Sequence, residues 1–171
     1  MSPYKQKFAD ILFTEKLSIT HFSIAVQSPV FGTFCPQLFS ESITPDWLKR
    51  KVNECIRECN LLDYIRTDPF DGMPKKLASD VATFLTVMDE YLKDAVLLQN
   101  DKLFKKIQRF CCNVRCYNRY LARHMSPMDS TYYDIFETEP QKLDTIKKEI
   151  ELYRTSIDEY YSKINPECTM F

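Results

Sequence analysis

The sequence predicts a mainly α fold: a helical bundle of four principal amphipathic helices behind an N-terminal segment of mixed character. Three observations carry that prediction. The chain holds only two glycines, Gly32 and Gly72, in 171 residues. Four segments repeat apolar residues every three to four positions, the mark of a helix with one buried face. Helix start and stop signals bracket them. Glycine supplies the left-handed turns and close backbone approaches of phosphate loops, dinucleotide fingerprints and nucleophile elbows, so this chain lacks the material for those devices.

The chain is read as a single helical domain over residues 1–171, with an N-terminal arm at 1–45 and the bundle at 46–165. In the arm, Tyr4 to Leu12 reads as a short helix. Thr20 to Gln27 alternates, with Phe22, Ile24 and Val26 on one face, as a half-buried strand would. With Val30 to Phe34 it makes either a small β-hairpin or an extended arm laid over the bundle. The first principal helix starts at Thr44-Pro45-Asp46, a hydroxyl N-cap followed by proline and an early acid. Its apolar line is Leu48, Val52, Cys55, Cys59 and Leu62. The second runs from about Pro74 to Leu98 through Val81, Phe84, Met88 and Ala95. The third carries Leu103, Ile107, Phe110, Val114, Tyr117 and Leu121. Across Gln99-Asn100-Asp101 the apolar face rotates by about 80°, so a tight turn is expected there, with one long kinked helix as the alternative. The fourth carries Leu143, Ile146, Ile150, Tyr153, Ile157, Tyr160 and Ile164. It opens on the capping-box pattern Thr138-Glu139-Pro140-Gln141 and stops at Asn165-Pro166. Four stripes of this kind are satisfied only by facing one another.

Composition narrows the function. The net charge is −1, which gives the whole molecule no bias toward nucleic acid or membrane. Residues 1–13 lack the pattern of a signal peptide, and no run approaches the roughly 18 apolar residues of a membrane span. Seven cysteines without an export signal suggest a reduced, intracellular, cytoplasmic protein.

The sharpest local signal is the third helix. Lys102, Lys105, Lys106, Arg109, Arg115, Arg119 and Arg123 are distributed over the half opposite the apolar line, with no acid among them. Such a face repels itself unless an anion or acidic surface is near. Its functional reading is a docking face for nucleic-acid phosphate, an anionic lipid surface or an acidic protein; its bland reading is a solvated face neutralised within the fold. Phe110 and Tyr117 belong to the core stripe, so no stacking platform for bases interleaves the cations. The connection Ser126 to Pro140 adds Asp129, Asp134, Glu137 and Glu139 with Tyr132, Tyr133 and Phe136. It is read as a loop that either folds back to neutralise the basic helix or offers its aromatics to a partner. Tyr133-Asp134-Ile135-Phe136 also matches the short Tyr-x-x-apolar pattern read by trafficking adaptors.

Cysteines recur at i, i+4 as Cys55/Cys59 and Cys112/Cys116. A four-thiolate zinc site would need both pairs to face each other, but the first pair lies on an apolar stripe and the second among arginines. Cys55 and Cys59 read as small core residues. Cys112 and Cys116 read as thiols whose pKa the neighbouring Arg109, Arg115 and Arg119 would lower. With only His21 and His124, a multi-histidine centre is excluded, and His124 stands about 12 Å along the helix from Cys116, too far to serve it as a base. No cofactor and no metal is expected. The reading is a non-catalytic protein–protein interaction or regulatory module. Its partner-binding residues would be Lys105, Lys106, Arg109, Arg115, Arg119 and Arg123 with Tyr132, Tyr133 and Phe136. The alternatives are nucleic-acid or other polyanion binding by the same helix, and an enzyme with a pocket between helices.

Overall fold

A computed structural model describes residues 42–167, and the expectations for the N-terminal arm lie outside the described residues. The fold is mainly α, with a small three-stranded antiparallel sheet. Helix α1 spans Pro45–Glu58, and the Thr44 hydroxyl accepts from the Trp47 N–H at 3.1 Å, as the start signal requires. The stripe written through Leu62 does not stay on one helix. Asn60 takes a left-handed conformation (φ 53°), and a second short helix, α2, begins at Leu61–Arg66. That break turns Leu61, Tyr64 and Ile65 into the core in place of Leu62. A 3₁₀ turn at Pro69–Asp71 and Gly72, at φ 95°, lead into strand β1, Met73–Pro74.

Helix α3 covers Lys75–Asp94, shorter than the stripe to Leu98 suggested, because Val96–Leu98 tighten into a 3₁₀ turn. Helix α4 follows at Lys102–His124, so residues 99–101 form a turn rather than the middle of one kinked helix. Asp101 caps α4, its carboxylate accepting from Leu103 and Phe104. The connection after α4 is not a loop. Met125–Pro127 (β2) and Tyr132–Ile135 (β3) form a hairpin, and β3 also pairs with β1, placing Met73 opposite Tyr133. Helix α5, Pro140–Ile164, starts one residue later than the capping-box pattern implied. Its N-cap is Glu139, which makes no capping bond; Glu137 instead accepts from the Thr138 and Glu139 N–H groups.

Helix α4 is the spine of the core. Phe110 meets Tyr161, Asn113 donates to Ser156, and Tyr117 meets Tyr153. Partner numbers fall as those of α4 rise, so α5 runs antiparallel along it. On another flank Phe84 of α3 meets Phe110 edge-on at 6.2 Å. Tyr64 of α2 donates its hydroxyl to Asn118 at 3.0 Å. Helix α5 and the residue that follows it also tie back to α1 and α2. Arg154 donates to the carbonyls of Ile65 and Arg66, satisfying the last turn of α2. Asn53 and Asn165 exchange two amide hydrogen bonds of 2.9 Å. No helix among the described residues is long and apolar enough to cross a membrane.

Candidate functional site

Two interleaved rows on α4 define the site. Phe104, Ile107, Cys111, Val114, Asn118 and Leu121 alternate steps of three and four and are all buried. Lys105, Arg109, Cys112, Cys116, Arg119 and Arg123 keep the same alternation on the opposite side. This second row is a strip about 27 Å long at 1.5 Å per residue. Its four cations are exposed, as is Cys112, while Cys116 is half-buried. Lys102 is exposed and Lys106 half-buried beside the strip.

Arg115 lies outside the row. It reaches across to Asp89 of α3 and pairs with it at 2.6 Å. Asp89 was not legible as its partner, because the pairing depends on how α3 and α4 cross rather than on any spacing within one helix. Among the described residues, none of Lys102, Lys105, Lys106, Arg109, Arg119 and Arg123 makes an ion pair. A groove of about 1010 Å³ runs beside this helix, with Lys105, Lys106, Arg109 and Cys112 on one wall and Asp89, Lys93 and Val96 on the other. Leu97, in the turn between α3 and α4, is 95 % exposed, and Val96 is half exposed. The sequence stripe ran through Ala95 and Leu98 and did not single out these two apolar side chains.

The acidic residues of the connection do not neutralise the strip; they serve their own turns. Asp129 accepts from the Thr131 and Tyr132 N–H groups, which hold its carboxyl below the usual range. Asp134 accepts from Ile135, and Glu139 pairs with Lys142. The aromatics separate. Tyr133 is 0 % exposed, sealed under the sheet in the core. It is therefore unavailable as a partner anchor, and the Tyr-x-x-apolar pattern is not presented to solvent. The cause is strand alternation: β3 turns Tyr132 outward and Tyr133 inward. Tyr132 is 38 % and Phe136 51 % exposed. The Phe136 N–H donates to the His124 carbonyl at 3.4 Å, which sets the Phe136 backbone beside the C-terminal end of α4.

The thiols behave differently from the expectation. Burial pushes Cys55 up to about 12 and raises Cys111 further. Cys116 is also raised, first by desolvation and then by Cys112, with Arg119 and Arg115 acting only as weaker opposing influences. Desolvation outweighs the opposing charges of Arg119 and of Arg115, whose guanidinium is paired with Asp89. Phe110, Tyr117 and Tyr120 are all buried, so none of these three α4 rings is offered among the cations for a base to stack on.

No family model matches the chain, no curated protein matches its sequence, and no solved structure matches its fold.

Proposed function

We propose that this protein is a non-catalytic interaction or regulatory module that binds an acidic protein partner through the α4 strip, with Phe136 and Tyr132 supplying apolar contact. The observation that supports this reading is the strip itself: Lys105, Arg109, Arg119 and Arg123 in one exposed row without an ion pair among the described residues. Three lysines also crowd the positive end of the α4 dipole, an arrangement that an approaching carboxylate relieves. Long-range attraction would steer the encounter, and the exposed aromatics would slow release. The buried positions of Phe110, Tyr117 and Tyr120 favour a protein over single-stranded nucleic acid.

The test is affinity capture from the native cell with the full chain and with K105E/R109E/R119E/R123E. The parent is expected to retain a defined set of acidic proteins at low salt and release them as salt rises, and the variant to retain none. A variant that captures the same set removes the strip from the interface. Parent binding to heparin or RNA with a steep salt dependence, in place of protein capture, would overturn the protein-partner reading in favour of a polyanion.

A further inference from the structure

Cys112 and Cys116 are the one pair of solvent-reachable thiols placed one turn apart on a regular helix among the described residues. At i, i+4 their Cβ atoms stand about 5–6 Å apart. A disulfide needs about 3.5–4.5 Å between them, so direct sulfur–sulfur bonding would distort the middle of α4. Two metal–thiolate bonds of about 2.3 Å each, the length found with zinc, span the wider gap without moving the backbone. Among the described residues no group of three or more His, Cys, Asp or Glu side chains gathers to hold a metal. Two thiolates with no third donor suit a soft ion content with two ligands, and not zinc, calcium or magnesium.

We propose that Cys112 and Cys116 form a two-thiolate site for a soft monovalent d¹⁰ cation of the Cu(I) class. Binding breaks two S–H bonds and forms two metal–sulfur bonds. Both protons go to solvent and no electron moves. The product carries one net negative charge, and Arg109, Arg115 and Arg119 flank it on the same helix. Cys55 and Cys59 have the same spacing but are buried, and a cation would have to enter the core to reach them.

The probe is Cu(I) presented as its bicinchoninate complex under oxygen-free, reducing conditions. The full chain is used in a C35S/C168S background, so that these two thiols do not compete. One equivalent of Cu(I) is expected to pass from the chelator to the protein. Adding C112S/C116S should abolish the transfer while the helical circular dichroism stays unchanged. The loss should exceed the roughly 10–100-fold drop seen when a metal site loses only an outer partner. Adding C55A/C59A in place of C112S/C116S should leave the equivalent in place. No transfer to the background protein, or transfer that survives C112S/C116S, overturns the site. Cu(I) transfer is read on the isolated chain with no protein partner present, so failure here and failure of the docking strip are separable.

Discussion

Asn118 shows how much one polar atom decides in this core. It is buried at 2 % exposure in the apolar row of α4, and its side-chain oxygen accepts the Tyr64 hydroxyl. Burial, with Tyr117 alongside, raises the Tyr64 hydroxyl well above its ordinary pKa, so it remains a neutral donor that needs an acceptor. Asn118→Ala should leave that donor orphaned and cost about 1–3 kcal/mol. Urea unfolding measures it. A loss within the roughly 0.5 kcal/mol of an ordinary surface change would show that the bond does not hold α2 to α4. Spacing alone could not reveal this, since an asparagine in an apolar row looks the same whether it caps, packs or faces water. Tyr133 teaches the same lesson. Its neighbours in sequence suggested an exposed anchor, and its burial decided otherwise.

Among the elements, the β2–β3 hairpin is the one whose stability should follow pH most directly. Its turn is built on Asp129, whose carboxylate accepts two backbone N–H groups, while Lys75 donates to the Asp129 carbonyl. Those backbone bonds depress the carboxyl pKa below the ordinary 3.8. A depressed carboxyl stabilises the folded state fully above its unfolded pKa and loses that contribution as pH falls through the folded value. Asp129→Asn keeps an acceptor but cannot titrate. Thermal melts between neutral pH and about pH 3 should therefore fall less steeply for the variant than for the parent. Parallel acid limbs for the two proteins would mean the hairpin turn does not use the charge. The same element corrected the sequence reading most. Strands of three and four residues between long helices leave too little alternation to be seen, and β3 is stabilised by β1, about sixty residues earlier.

For the molecule as a whole, the consequence of the strip is electrostatic. Like charges along one helix destabilise the compact state by self-repulsion, and salt screens them within a Debye length of about 10 Å at 0.1 M. The melting temperature of the parent should therefore rise as salt goes from low to moderate concentration. In K105Q/R109Q/R119Q/R123Q that rise should shrink, while the melting temperature at low salt should equal or exceed the parent's. An unchanged salt response would mean the strip's charge is already balanced within the fold, and the docking reading would lose its physical basis. Among the described residues only the Arg115–Asp89 pair offers such balance along α4, and it uses a cation outside the row.

The sequence by itself determined the helices. Periodicity, the Thr44 cap and the Asn165-Pro166 stop are local, and local energetics fix where a helix begins, ends and turns its apolar side. It also determined which side of α4 holds the cations, because a helix converts spacing directly into direction. Tertiary structure decided what spacing cannot encode: the break at Asn60, the sheet that seals Tyr133 and the reach of Arg115 to Asp89. Each of these depends on a partner distant in sequence or on how much water a neighbouring element removes. Burial and long-range pairing are properties of the assembled chain, and they settled which predicted site residues still face outward.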